Sequence, residues 1–326
     1  MIVTFTANPS IDRTAELDEP LLRGGVNRIR ALHDGPGGKG VNVSRALHLA
    51  EVPSVAVLPS PSAHPIVAAL REAGVAHRPI PVTGRVRTNI TLSEDDGTTT
   101  KINEPGSPLD PDGLAVLRDT LVDLARNAAW VALCGSLPPG PRADWYADLV
   151  DALRPTGARI AVDTSDAPLE ALAARLPGSA PDLLKPNAFE LGQLTGTDGD
   201  RLERAAEHGD FGPTVRAARA VVDQGVTYVL ATLGAAGAVL ASADGAWTAT
   251  PPAIVPISTV GAGDSSLAGF LLAHVRGDAP ADCLRHAVAY GSAATALPGT
   301  TVPRPDQTDP DGATVAAYPA KDSQHV

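Results

Sequence analysis

Only two cysteines, Cys134 and Cys283, occur in the 326 residues. They leave no disulfide framework or zinc site to expect, and Cys134 closes an apolar run where a small buried thiol is the ordinary state. Positive charge is also scarce, with 26 Lys and Arg against 37 Asp and Glu and a formal charge of -11. DNA or RNA binding needs clustered basic residues, so a nucleic-acid partner is excluded, and an anionic substrate must be met by a few local cations. Long hydrophobic runs are missing. The stretch Ala128–Cys134 is among the longest, far short of the roughly 20 residues of a membrane helix. No basic segment precedes Met1-Ile2-Val3-Thr4-Phe5-Thr6, which reads as a buried strand and not as a secretory signal. A cytoplasmic chain without a membrane partner is expected.

What is present fits a globular protein with a sizeable core, since 44% of the residues are hydrophobic and 19% charged. Strand-like apolar runs recur at Ile2–Ala7, Ser54–Leu58, Trp130–Cys134, Ala158–Asp163, Leu183–Leu184 and Tyr228–Thr232. Helical patterns separate most of them, for example Val43, Ala46, Leu47 and Ala50, or Leu114, Leu117, Leu121 and Leu124. This alternation predicts an α/β fold with a mostly parallel central sheet flanked by helices, its ligands at the carboxyl ends of the strands. Two regions break the alternation, about 12–33 and 87–103. The second reads as a hairpin turning at Glu94-Asp95-Asp96-Gly97, and together the two predict a small β-sheet lid. The main domain then spans 1–303, and residues 304–326, rich in Pro, Asp, Gly and Thr, are expected to form a flexible tail.

Chemistry concentrates in Gly261-Ala262-Gly263-Asp264-Ser265-Ser266, followed by Leu267, Phe270, Leu271 and His274 at helical spacing. A glycine loop opening a helix converges backbone amides on an anion and adds the helix's positive end. An Asp in that loop can take the proton of an attacking hydroxyl in phosphoryl transfer. Helix capping by Asp264 is the alternative. A second cluster, Gly35-Pro36-Gly37-Gly38-Lys39-Gly40, opens a helix carrying Asn42. It is no Walker A loop, because His33 stands where a glycine is required and Gly40 where Ser or Thr would meet magnesium.

Taken in order, Asn8-Pro9-Ser10-Ile11-Asp12, Gly37 to Asn42, Arg87-Thr88-Asn89, Lys101 to Gly106, Gly135 to Gly140, Lys185-Pro186-Asn187 with Glu190, Thr232-Leu233-Gly234 and Gly261 to Asp264 resemble the phosphofructokinase-B type of carbohydrate kinase. This is a ribokinase-like family, and the match is to its 1-phosphofructokinase and tagatose-6-phosphate kinase branch, over roughly residues 1–300.

The resemblance implies an ATP- and Mg2+-dependent kinase acting on a ketohexose phosphate, with Asp264 as base and Gly261, Ala262 and Gly263 forming the anion hole. It implies sugar contacts from Asp12, Gly38, Asn42, Asn103 and Ser136, and phosphate contacts from Lys39, Arg87 and Arg28. Lys185, Thr232, Gly234 and Gly237 would serve the nucleotide, and Asn187 and Glu190 would organise Mg2+ through water; Asn187 with Glu190 also forms a capping-box pattern.

Fructose 1-phosphate is the expected acceptor, with fructose 6-phosphate and tagatose 6-phosphate as alternatives. A non-catalytic sugar-phosphate sensor is the rival of another class. The Gly-Asp-Ser of a serine esterase is interrupted by Ser266, and a kinase of unphosphorylated sugars has no use for Arg87 and Lys39. One departure from the family, Pro59-Ser60-Pro61-Ser62-Ala63-His64-Pro65 in place of a glycine-rich stretch, bears on sugar preference. A homodimer through the edges of the lid is a further expectation.

Overall fold

A computed structural model describes residues 1–319. In chain order the strands are β1 (Ile2–Thr6), β2 (Ser10–Leu17), β3 (Ile29–Gly37), β4 (Ser54–Pro59), β5 (His77–Ile80), β6 (Arg87–Ser93), β7 (Thr99–Asn103), β8 (Trp130–Cys134), β9 (Arg159–Asp163), β10 (Leu183–Leu184), β11 (Tyr228–Thr232), β12 (Ala238–Ser242), β13 (Gly245–Thr250) and β14 (Thr314–Tyr318). The helices are α1 (Lys39–Leu49), α2 (Pro65–Glu72), α3 (Pro111–Ala125), α4 (Trp145–Leu153), α5 (Asp166–Ala173), α6 (Ala188–Thr195), α7 (Gly199–Glu207), α8 (Gly212–Val222), α9 (Ala262–Arg276) and α10 (Pro280–Thr295). None of the described helices is long and apolar enough to cross a membrane.

Ten strands make the main sheet in the order β14-β13-β12-β11-β10-β9-β8-β1-β4-β5. From β11 to β5 all neighbours run parallel, and β12, β13 and β14 continue the sheet antiparallel. The parallel part must be covered on both faces, which is why its strands are continuously apolar. In β8 the side chains alternate between two cores. Val131 and Leu133 join Val3, Phe5, Leu117 and Leu121 on one face, while Trp130, Ala132 and Cys134 join Ile2, Leu47 and Phe270 on the other. The predicted buried Cys134 thiol is found there, wholly enclosed.

Local signals explain where helices begin. The Asp110 side chain accepts from Gly113 N at 2.7 Å and Pro111 occupies the first turn of α3, whose buried stripe is Leu117, Leu121 and Ala125. In the glycine cluster, Gly35 to Gly37 complete β3 and Gly38 alone starts α1, with φ 109. A Cβ there would meet Thr6 Cγ2 at 2.5 Å, so both the backbone and the space require glycine.

The lid is a separate four-stranded sheet, β3-β2-β6-β7. Its reach is wider than the sequence expectation, since β2 starts at Ser10 and β3 runs to Gly37. β6 and β7 form the predicted hairpin, closed by Glu94 N donating to Thr98 O at 2.9 Å.

The tail expectation is corrected. Residues 305–307 form a single 3-10 turn and Thr314–Tyr318 is the edge strand of the main sheet, paired antiparallel with β13 from Thr250↔Thr314 to Ala246↔Tyr318. Arg285 Nη1 also donates to Ala313 O at 2.7 Å. Polar composition misled because an edge strand needs few apolar contacts: Val315, with Ala313 just before the strand, packs on one core and Tyr318 on the other. Residues 320–326 lie outside the described residues. Ending the chain after Pro303 is expected to lower the thermal midpoint by several degrees, at roughly 2 °C per kcal/mol of lost pairing. An unchanged midpoint in a thermal melt would restore the tail as dispensable.

Candidate active site

A cleft of about 1450 Å3 lies at the carboxyl ends of β1, β8, β9, β10 and β11, with the lid along one side. Its position is the one a parallel sheet dictates, because strand ends and helix starts converge there. Asp264 enters it from the first turn of α9. The N-cap of that helix is Gly261, with φ 80 and no side-chain cap bond. Asp264 is therefore not a cap; its Oδ2 accepts from Asn42 Nδ2 of α1 at 2.9 Å. Ser265 N is the first amide to bond back into the helix, to Gly261 O at 2.9 Å, and Ala262 N makes only a long contact of 3.5 Å with Thr259 O. The turn thus keeps donor capacity at the positive end of the helix.

Facing Asp264 is an ion-pair cluster. Asp163, the last residue of β9, is 1% exposed and receives Lys39 Nζ at 2.7 Å and Lys185 Nζ at 3.1 Å. Burial alone would push the Asp163 carboxyl up, but the two ammonium groups outweigh it and hold it below its ordinary value. Burial likewise opposes the charge on Lys39, and Asp163, Asp264 and Glu190 together reverse that and raise it. Asp264 has no cation of its own. Burial, then the nearby Asp163 charge, push it from 3.8 up to about 6, with Lys39 and the Asn42 bond opposing.

Next to Lys185, Asn187 caps α6. Its Oδ1 accepts from Glu190 N at 2.8 Å and Glu190 Oε2 accepts from Asn187 N at 2.8 Å, a complete capping box. Burial raises the Glu190 carboxyl as well. Among the described residues no three His, Cys, Asp or Glu side chains gather into a metal cage.

On the lid side, Asp12 of β2 accepts from Ser10 Oγ at 2.7 Å and from Asn89 Nδ2 of β6 at 3.2 Å, placing its carboxylate over the cleft. Arg87, half-buried, spends Nη1 on Glu104 O at 3.0 Å and leaves a buried Nε without a partner. Burial lowers its pKa, Asp12 and Glu104 opposing.

The sequence profile of the pfkB family carbohydrate kinases matches residues 6–307. This chain belongs to that family. It is 36% identical over 293 residues to the 1-phosphofructokinase of Xanthomonas campestris pv. campestris, covering 88% of this chain and 89% of that protein. The 1-phosphofructokinase of Rhodobacter capsulatus is also 36% identical, over 94% of each chain. Among solved structures, phosphofructokinase-2 from Escherichia coli in complex with substrates and products superposes with a TM-score of 0.82 at 28% identity, covering 94% of this chain and 96% of that one.

In this pfkB kinase the cleft brings together most of the residues expected from sequence: Asp12, Gly38, Lys39, Asn42, Arg87, Ser136, Lys185, Asn187, Glu190, Thr232, Gly234, Gly237 and the Gly261–Asp264 turn all line it. Arg28 and Asn103 do not. Arg28 lies exposed between β2 and β3, and Asn103 is exposed at the end of β7. Residues 59–65 do not line it either; Ser60 N donates to Ile80 O at 2.9 Å, and the His64 side chain accepts from Ile66 N at 3.3 Å to start α2.

Two residues escaped the sequence reading. Asn89 was within reach, because it is two positions after Arg87 and strand alternation puts both on one face. Asp163 was signalled only as the carboxylate that ends an apolar parallel strand.

The raised Asp264 group has a consequence for stability. Between its ordinary 3.8 and its folded value of about 6, the folded kinase binds the extra proton, so ionised Asp264 destabilises the fold above about pH 6. Asp264→Asn is expected to be more stable than the parent by about 2 kcal/mol near pH 8, with the gain shrinking as pH falls through about 6. Urea unfolding across that range checks it, and a gain independent of pH would mean the carboxylate is well solvated.

Proposed function

We propose that this kinase transfers the γ-phosphoryl group of ATP to a hydroxyl of fructose 1-phosphate, forming fructose 1,6-bisphosphate. The observation that carries this reading is Asp264, a buried carboxylate pushed up to about 6 in the first turn of a helix whose amides face the cleft. A base needs to be ionised at the working pH yet eager for a proton, and a value just below neutrality meets both needs. The relatives named 1-phosphofructokinase favour fructose 1-phosphate over the fructose 6-phosphate and tagatose 6-phosphate alternatives.

In this mechanism Asp264 takes the proton of the attacking hydroxyl as the new O–P bond forms and the bond to the ADP oxygen breaks. Amides of the Gly261–Asp264 turn stabilise the charge on the transferring group. Lys39 and Lys185, held on Asp163, bring positive charge to the same point, which supports a role for Lys39 at the transferring phosphoryl group beside the one expected at the phosphate already on the sugar. Arg87, with an uncommitted Nε, takes that second phosphate. Asp12 and Ser136 hold sugar hydroxyls, and lid closure keeps out water that would hydrolyse ATP. Thr232, Gly234 and Gly237 approach the phosphate tail, and the apolar wall of Pro251, Pro252, Ile254 and Val288 accommodates the purine.

The donor set fits hydrated magnesium, which keeps several waters and takes few protein oxygens: Glu190 contributes a carboxylate oxygen free of the capping bond, and Asn187 Oδ1, already accepting from Glu190 N, keeps a second lone pair for a metal-bound water. When bound there, Mg2+ neutralises charge on the phosphate oxygens. Both substrates are charged metabolites retained by the cell, so the cytoplasm is the compartment proposed. Exposed Val26, Ile29, Leu32 and Ile102 on the lid support a homodimer joined there.

ADP-release assays on fructose 1-phosphate, fructose 6-phosphate and tagatose 6-phosphate, with fructose as control, test the sugar. Turnover confined to another of them would replace the acceptor, and no turnover with any would favour a sensor. Asp264→Asn is expected to lower kcat by about 10^3-fold with substrate binding nearly intact, and the acid limb of kcat/KM in the parent should fall near pH 6. Normal turnover by the variant would remove the base. Arg87→Ala should raise KM for the sugar phosphate at least about tenfold and hardly change KM for ATP; equal effects would detach Arg87 from the phosphate.

A further inference from the structure

Arg45 does not line the cleft, yet one of its nitrogens is committed to the site. Nη1 donates to Asn42 Oδ1 at 3.2 Å and to Thr300 O, after α10, at 3.2 Å. No carboxylate pairs with it among the described ion pairs. Burial pulls its pKa down, with the Asp12 charge as the opposing influence. Such a group is costly to hold unless its hydrogen bonds are needed. Asn42 stands between Arg45 and Asp264, spaced three residues from Arg45 on one face of α1. A guanidinium only donates and a carboxylate only accepts, so the amide between them has a single satisfied orientation, oxygen toward Arg45 and nitrogen toward Asp264.

We propose that Arg45 is a positioning residue that locks the Asn42 amide, committing its Nδ2 to Asp264 Oδ2 and leaving Oδ1 as the oxygen that receives the substrate proton. The inference rests on Asp264 acting as the base. Without Arg45 the amide is free to turn its oxygen to Asp264, which favours the protonated carboxyl. The other charged groups around Asp264 are Asp163 from β9, Lys39 from the start of α1 and Lys185 beyond β10, and none of them is altered by the substitution.

The test is the pH profile of kcat/KM for Arg45→Met, with thermal melts on every variant. The expected result is an acid limb moved upward by about half a pH unit, which is a loss of about threefold in kcat/KM on that limb. In an Asn42→Ala background the same substitution should move the acid limb no further. Arg45→Gln, whose side chain ends two bonds short of the Nη1 position that bonds Asn42, carries the same comparison if the methionine variant does not fold. An unmoved acid limb alongside a lowered melting temperature would make Arg45 purely structural and overturn the proposal. An equal further shift in the Asn42→Ala background would overturn it too, because the charge would then act through space. If Asp264→Asn is fully active, the base reading itself fails; if that variant is inactive while Arg45 leaves the acid limb in place, only the positioning role fails.

Discussion

Three carboxylates, Asp163, Glu190 and Asp264, are withdrawn from water at one point, with only two ammonium groups, Lys39 and Lys185, among them. Buried charge is tolerated only when paired, and the shortage decides what each residue becomes. Asp163 takes both lysines and stays charged. Glu190 turns one oxygen to a backbone amide. Asp264 is left with a neutral amide donor, and its pKa rises accordingly. The carboxylate with the raised pKa is thus the one that the pairing leaves short.

That cluster can exist only because distant segments end at the same level of the sheet. Asp163 closes β9, Lys185 follows β10, Lys39 begins α1 and Asp264 begins α9. Parallel order makes these ends coincide, since β5, β4, β1, β8, β9, β10 and β11 of the main sheet all point the same way. Glycine supplies the close approach: a Cβ on Gly263 would stand 3.2 Å from Lys185 Nζ, and one on Gly40 would stand 2.7 Å from Phe5 O. The lid closes the arrangement by a different route. Asp12 faces the cleft from β2 because Ser10 and Asn89 hold it from two lid strands.

Much of this was legible along the chain. Strand and helix order followed from hydrophobic period, the hairpin from Glu94-Asp95-Asp96-Gly97, and the capping of α6 from Asn187 and Glu190, because these are local patterns read by local physics. The edge strand β14 was not, since Thr314–Tyr318 is a strand only because β13 offers it a partner. Nor was the role of Asp163: nothing near it in sequence announces two lysines that arrive from positions 39 and 185. Helix capping was an open account of Asp264 until Gly261 was found as the cap and Asn42 as the partner.

The amino-acid sequence by itself determined the α/β alternation, the β6–β7 hairpin and the glycine turn that opens α9. Each depends on residues within about one helical turn or one hairpin of each other. The tertiary structure alone decided that Lys39 and Lys185 share Asp163, that Asn42 bonds both Arg45 and Asp264, and that Arg28 and Asn103 stay outside the cleft. Those outcomes depend on which charges meet where water is excluded, and a linear chain carries no record of that distance.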